Sequence, residues 1–224
     1  MTAKTKHAVA TETATSGGRR ERRRAETARR ILDTAMRLFM EQGYASTTIE
    51  AITEAADIGK GTFFNYFPGK EHLVIAFCEQ QVAKLAAAAT LAQDAGSIRA
   101  LIEAVAQNIG ASWKGNRRFL RSMFGAILSN DMLSARFEEL LAAGRRDATL
   151  LLKEGQRRGE IRSDVPAAQL ARMLQQTMLG AQLIWPLHRT DDLTRWMRQS
   201  LNLLWEGVGA TPPSAADRAG RRPR

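Results

Sequence analysis

The chain of 224 residues contains a single cysteine, Cys78, so it can close no internal disulfide and assemble no thiolate zinc site. It has only three histidines, His7, His72 and His188, far apart in sequence. None stands in a spaced set with a carboxylate and a nucleophile, so no catalytic constellation is legible. The adjacent acidic pairs Glu138-Glu139 and Asp191-Asp192 do not share a direction on a helix, and they read as a solvated face and a helix cap. No stretch approaches the run of about eighteen apolar residues that a membrane-spanning helix needs. The N-terminal segment MTAKTKHAVATETATSGG lacks the apolar centre of a secretory signal. Strand-like alternation between turn signals is also missing. No transmembrane helix and no disulfide scaffold are therefore expected. They leave a soluble, all-α, non-enzymatic protein of a reducing cytoplasm that needs no cofactor and no metal. Cys78, set between apolar neighbours in a helical stripe, reads as a buried inert thiol.

What the chain has in excess is positive charge, 33 basic against 23 acidic side chains, a net of +10. The excess is uneven. Residues 1–30 carry nine basic and three acidic groups, whereas residues 31–70 carry three and five. Residues 71–224 carry twenty-one and fifteen, and the tail after Ala210 holds four arginines against one aspartate. A basic chain with its charge at the ends suits either a polyanionic partner or solubilising tails.

Residues 1–18 are small and polar and cannot bury enough apolar surface to order themselves. The dense basic run RRERRRAETARR, Arg19–Arg30, follows. Apolar residues then recur at helical spacing from Ala28 through Ile31, Leu32, Ala35, Leu38 and Phe39, and Gly43 is placed to end that helix in a left-handed conformation. Thr47 with Glu50 matches a capping box and predicts a short second helix, with Ile49, Ile52 and Ala56 inward. Asp57-Ile58-Gly59 breaks it, since Asp tolerates a left-handed turn and Gly can begin the next helix. A third short helix is predicted to about Phe67. Beyond it only helical periodicity remains, over 70–93, 97–113, 117–129, 131–159, 166–186 and 191–208.

The segment IGKGTFFNYFPGK, Ile58–Lys70, resembles a phosphate cradle at first sight. A P-loop needs Ser or Thr directly after its lysine and a glycine five positions before the one that precedes it. Here Gly61 follows Lys60, Glu54 stands five before Gly59, and the preceding element is a helix. Two short helices joined by a tight turn, the second exposing small polar side chains, fit a helix-turn-helix or a plain three-helix packing unit.

The stretch Ile31–Leu73 carries Gly43-Tyr44, Thr47-Thr48-Ile49, Ile52 with Ala55-Ala56, Gly61-Thr62-Phe63-Phe64 and Tyr66-Phe67-Pro68-Gly69-Lys70. It resembles the N-terminal domain of the tetracycline-repressor (TetR) family of transcription regulators. The rest resembles that family only in being all-helical, of suitable length, with a Leu/Trp-rich final helix. The chain departs from the common pattern at Asp57 and Gly59 around the turn, and at Phe64, where a tyrosine is frequent. Phe64 has no hydroxyl for a phosphate and retains only apolar contact with sugar or a thymine methyl.

The resemblance implies four regions: a disordered basic arm over 1–24, a helix-turn-helix domain over 25–72, a helical effector-binding and dimerisation domain over 73–209, and a disordered basic tail over 210–224. It implies that Thr47 and Thr48 meet phosphates, and that Lys60, Gly61, Thr62 and Asn65 enter the major groove of double-stranded DNA. Tyr66 and Lys70 would meet phosphates, while Phe63 and Phe67 would be core. Arg19, Arg20, Arg22, Arg23 and Arg24 would supply much of the attraction that the acidic reading domain lacks. The implied effector pocket draws on Trp113, Phe119, Met123, Phe124, Met178 and Trp185, and suits a small apolar or aromatic effector. The implied homodimer, which suits a near-palindromic operator, draws on Leu170, Met173, Leu174, Leu193, Trp196, Met197 and Leu201. The expectation is a repressor released from DNA by its effector. The alternative of another class is an effector-independent architectural or interaction DNA-binding protein.

Overall fold

A computed structural model describes residues 5–113, 115–188 and 192–208, with side chains described over Gly18–Gly207 within those ranges. The basic tail 210–224 lies outside the described residues. The described elements are α1 (Thr5–Gln42), α2 (Ile49–Ala55), α3 (Lys60–Phe64), α4 (Lys70–Leu91), α5 (Ile98–Ser112), α6 (Arg117–Leu128), α7 (Asp131–Arg157), α8 (Ala167–Ile184), a 3₁₀ turn over Trp185–Leu187, and α9 (Leu193–Val208). No strand occurs among the described residues. No described helix is long and apolar enough to cross a membrane. The chain divides into two compact units, Met1–Phe77 and Cys78–Arg224.

In the first unit α1 packs on α2 and α2 on α3. Ile31, Leu32, Ala35, Met36 and Phe39 of α1 are buried with Ile52, Phe63 and Leu73. Burying each large side chain of this set contributes about 1.5–3 kcal/mol. The basic segment differs from expectation: Arg19–Arg24 ride on α1, which begins at Thr5. Arg, Glu and Ala favour helix, and the segment extends a helix already anchored by its buried residues, so it needs no new nucleus. At the other end Gly43 takes φ 91° and its N–H donates to Phe39 O at 3.0 Å, the left-handed stop expected there.

The cap of α2 is displaced by one residue. Thr48, not Thr47, accepts a hydrogen bond from Ala51 N–H on its hydroxyl, at 3.1 Å. Thr47 is fully buried, and its hydroxyl donates to Gly43 O at 2.8 Å. Asp57 turns the chain at φ 51°, and Ile58 N–H reaches back to Thr53 O at 3.0 Å. Gly59 precedes α3 without a side-chain cap. The regular helix ends at Phe64, and the turn after it returns Phe67 N–H to Phe63 O at 2.9 Å before Pro68 stops it.

In the second unit α7 packs on α8, α8 on α9, and α5 on α9. Helix starts follow local chemistry: Ser97, Asn116 and Asn130 accept from the N–H groups of Ala100, Phe119 and Leu133. Asp192 Oδ1 accepts from Thr194 and Arg195 at the start of α9. Phe119, Leu120, Ile127, Leu133, Leu151 and Trp185 are among its fully buried side chains.

The end of α7 secures the link between α4 and α5. The Arg158 guanidinium donates to the carbonyls of Ala92, Gln93 and Ala95 and to Glu154. Glu160 accepts from Ser97 Oγ at 3.0 Å and from Ile98 N–H at 2.8 Å, covering the start of α5. Hydrogen bonds from Arg157 and Arg158 hold the Glu154 carboxyl down at about 2. A depressed carboxyl contributes stability above its unfolded value, and that contribution fades as pH falls towards the folded value. Glu154→Gln is therefore expected to be less stable than the parent at neutral pH, with the difference shrinking between pH 5 and 2 in denaturant titrations.

Candidate nucleic-acid interface and apolar cavity

Helix α3 has two chemically distinct faces. Phe63 is fully buried and Phe67 nearly so, their rings 6.1 Å apart. On the other side Lys60, Gly61 and Asn65 are exposed, Thr62 is half-buried, and Phe64 is 51% exposed. The Phe64 ring stands edge-on to Phe63 at 5.4 Å, so an inward aromatic supports an outward one. A Cβ at Gly61 would meet nothing within 4 Å, so internal packing places no demand for glycine there. Lys60 is drawn to Glu50 of α2 at 2.6 Å, and its ammonium hydrogen bond lowers the Glu50 carboxyl pKa.

Around this face the expected phosphate contacts sort themselves. Thr48 is exposed at the start of α2. Thr47 is withdrawn, because its hydroxyl is buried against Gly43 O and accepts from Gln42 Nε2 at 3.2 Å. Lys70 is half-buried and committed elsewhere. Its ammonium donates to Tyr44 O at 2.8 Å and Thr47 O at 2.9 Å, and lies 4.3 Å from the Tyr44 ring centre. Burial lowers the Lys70 pKa and raises that of Tyr44. These two side chains build the turn that presents Thr48, and the Thr47 hydroxyl is committed inside it. Arg24 lies over the Tyr66 ring at 5.6 Å, and Arg20, Arg23, Thr27 and Tyr66 border one shallow depression. The arginines at i, i+3 and i+4 on α1 and the tyrosine after α3 thus make one basic margin.

The second unit holds a partly open apolar cavity of about 140 Å³. Trp113, Met123, Phe124 and Met178, four of the residues named for the implied effector pocket, line it. Phe119 and Trp185 do not. Both are buried in the core, Phe119 with its ring 5.9 Å from Trp113 and Trp185 beneath the Arg117 guanidinium at 4.3 Å. Sequence reasoning missed the wall made by α4, where Cys78, Gln81, Val82 and Leu85 recur at helical spacing. It also missed Gln175 and Gln182 on α8. Among the described residues no Asp, Glu, Lys, Arg or His lines the cavity. Burial pushes the Cys78 thiol up to about 12, so it is neutral there.

The expected dimer residues need a correction. Leu170, Leu174, Leu193, Met197 and Leu201 are buried within their own chain, and Met197 and Leu174 also line the cavity. The outward faces of α8 and α9 are different. Met173, Leu183, Ile184 and Leu187 are exposed with Leu203, while Trp196 is half-buried against His188 at 4.6 Å.

Comparison with known proteins bears on both units. The pattern described as "Bacterial regulatory proteins, tetR family" matches residues 31–77, and that described as "Tetracyclin repressor-like, C-terminal domain" matches residues 92–198. The chain belongs to the TetR family. Among curated relatives, the uncharacterised HTH-type regulator YerO of Bacillus subtilis is 40% identical over 57 residues, covering 25% of this chain and 20% of YerO. The match to that relative therefore spans about a fifth of its length. The HTH-type transcriptional repressor AcnR of Corynebacterium diphtheriae is 26% identical over 185 residues, 82% of this chain and 92% of AcnR. Among solved structures, Thermus thermophilus FadR, a TetR-family repressor in complex with lauroyl-CoA, aligns with TM-score 0.60 and 25% identity over 84% of this chain and 98% of FadR.

The Lys70 latch generates a direct test. Lys70→Ala removes two hydrogen bonds from a charged donor to buried carbonyls and is expected to cost about 2 kcal/mol. Chemical denaturation of the full chain reads this loss, and a change below ~0.5 kcal/mol contradicts the latch.

Proposed function

We propose that this TetR-family chain is a sequence-specific DNA-binding regulator, a repressor that leaves its operator when a small apolar molecule occupies the cavity. The observation that carries the reading is the split of α3, with Phe63 buried and Lys60, Gly61, Thr62, Phe64 and Asn65 turned outward. Asn65 can bond adenine N6 and N7, and Lys60 can bond guanine O6 and N7 or a phosphate. Phe64 offers apolar contact to sugar or a thymine methyl. The bare Gly61 lets backbone come close to base edges. Thr48 and Tyr66 at the flanks fix the register on phosphates.

Charge is supplied from α1. The helical presentation of Arg19, Arg20, Arg22, Arg23 and Arg24 points to a backbone-tracking basic helix rather than a loose arm in the minor groove. The reading unit joins the cavity through α4, which begins at the Lys70 latch and continues as the wall formed by Cys78, Gln81, Val82 and Leu85. An effector that fits the cavity in one setting of α4 shifts the population away from the DNA-competent one. The cavity favours this reading over an effector-independent architectural protein, which would have no use for it.

A second copy of this chain is the occupant of the exposed stripe on α8 and α9. Its two-fold pairing places two reading helices on successive half-sites. The two FadR structures with acyl-CoA bound show that neighbours of this fold take acyl-CoA, in Thermus thermophilus and in Bacillus subtilis. The uncharged lining seen here favours a smaller apolar ligand.

Footprinting on the DNA upstream of the chain's own gene is expected to protect a near-palindrome, and uniform binding to unrelated duplexes contradicts the reading. Replacing Arg19, Arg20, Arg22 and Arg23 with alanine preserves helix propensity. It is expected to flatten the slope of log affinity against log salt by up to about 3–4 per chain, with the preferred sequence retained. Leu183→Glu with Leu203→Glu is expected to yield folded monomer in sedimentation analysis, with operator affinity falling more than tenfold.

A further inference from the structure

Lys60 is the first residue of α3, and its ammonium meets the Glu50 carboxylate on α2 at 2.6 Å. Both side chains are more than half exposed, at 58% and 62%. An exposed ion pair of this kind adds little to the stability of a fold. Glu50 is not the cap of α2 either, because Thr48 holds that place. The pair stands on the outward face of the reading unit, where Thr48, Glu50, Lys60 and Phe64 border one shallow depression. The hydrogen bond from Lys60 is the main cause that lowers the Glu50 carboxyl pKa, so Glu50 is ionised at neutral pH. Its charge opposes the attraction of phosphates in a segment, residues 31–70, that already holds five acidic against three basic groups.

An ammonium carries three N–H donors, and Glu50 takes one of them. Two remain for a ligand. Guanine presents two acceptors side by side in the major groove, O6 and N7, so the count matches. Adenine has an N6 donor in place of O6, and thymine offers a single O4. A phosphate oxygen is anionic, and to bond Lys60 it must approach the Glu50 carboxylate, a like charge that repels it. The guanine edge is neutral and meets no such repulsion. The ion pair as a unit has no net charge, so it releases few counterions from a duplex.

We propose that Glu50 determines specificity by holding the Lys60 ammonium away from phosphates and leaving two of its N–H groups for O6 and N7 of one guanine in each half-site. This rests on the DNA-binding reading above and deepens it at one base. Glu50 acts through Lys60, so it is a positioning residue. Its carboxylate lowers affinity for every duplex. It raises discrimination, because a lysine released from Glu50 would hold phosphate on any sequence. In that reading the arginines of α1 supply the phosphate attraction that the pair gives up.

Fluorescence anisotropy of the full chain tests this on three kinds of DNA: the protected upstream duplex, a scrambled duplex, and protected duplexes with single guanines replaced by 7-deazaguanine, which lacks the N7 acceptor. One such replacement in each half-site is expected to weaken the parent at least about threefold, and Lys60→Ala is expected to be insensitive to it. Glu50→Gln is expected to bind the scrambled duplex at least about threefold more tightly than the parent does, and to lose at least about threefold of the preference for the protected one. Its slope of log affinity against log salt is expected to steepen by about 0.9 per chain, the value of one phosphate contact. In a Lys60→Ala background the same substitution is expected to leave the slope unchanged. Glu50→Ala is the second variant, with the same expected outcomes, since alanine keeps helix propensity at this exposed site. An unchanged slope or preference in both Glu50 variants, an equal steepening without Lys60, or a parent indifferent to every 7-deazaguanine overturns the role of Glu50 and leaves sequence-specific binding standing. Equal binding of the parent to the protected and scrambled duplexes overturns both.

Discussion

The ammonium of Lys70 is the constraint on which the reading unit depends. It reaches back across 23 and 26 residues of sequence to the carbonyls of Thr47 and Tyr44, and it sits against the Tyr44 ring. Those carbonyls belong to the turn between α1 and α2, where Gly43 has just ended α1. With the turn held, Thr48 is in place to cap α2, α2 packs on α3, and Phe63 is buried so that Lys60 and Asn65 face out. The same lysine is the first residue of α4, whose later turns wall the cavity. One hydrogen-bonded cation therefore stands at the start of the element shared by both proposed activities.

A lysine in a DNA-reading segment invites assignment to a phosphate, and Lys70 shows why type and position are insufficient. A half-buried ammonium with two carbonyl partners and an aromatic face has little left for an external anion. In the proposed function the attraction for DNA falls instead to α1. There the arginines occupy one continuous helix, and Arg24 over Tyr66 joins that helix to the residue after α3. In the proposed function a reading surface of low charge flanked by a strongly basic one separates two tasks: base edges would be discriminated at α3, and the phosphate field met at the margin.

Much of the fold was legible in local signals. Ser97, Asn116 and Asn130 are cap-forming residues and cap the helices they precede, and Gly43 and Asp57 take left-handed conformations that Gly and Asp tolerate. These depend on a residue and its near neighbours, so a single sequence reveals them. The one-residue slip at Thr47 and Thr48 shows the limit. Two adjacent threonines both suit a cap, and only the tertiary burial of Thr47 against Gly43 O separates them. The wide apolar stripes of α8 and α9 posed the same problem on a larger scale. Periodicity marks Leu170 and Leu183 alike as apolar-face residues, but which lies inward depends on α7 and α5 packing from other parts of the chain. Phe119 and Trp185 were misplaced for the same reason, since core and cavity walls draw on the same residue types. The glutamines were missed because an amide at helical spacing carries no local signal that it faces a cavity.

The central claim is that α3 reads bases while its flanks read phosphates, and one comparison tests it directly. Affinities of the parent and of a Lys60→Ala, Asn65→Ala variant are measured by fluorescence anisotropy at several salt concentrations, for the protected upstream duplex and for a scrambled one. The account predicts that the variant loses at least tenfold on the protected duplex, keeps its affinity for the scrambled one within about threefold, and loses no more than about one unit of salt slope per chain. Equal losses on both duplexes, or none on either, would contradict it.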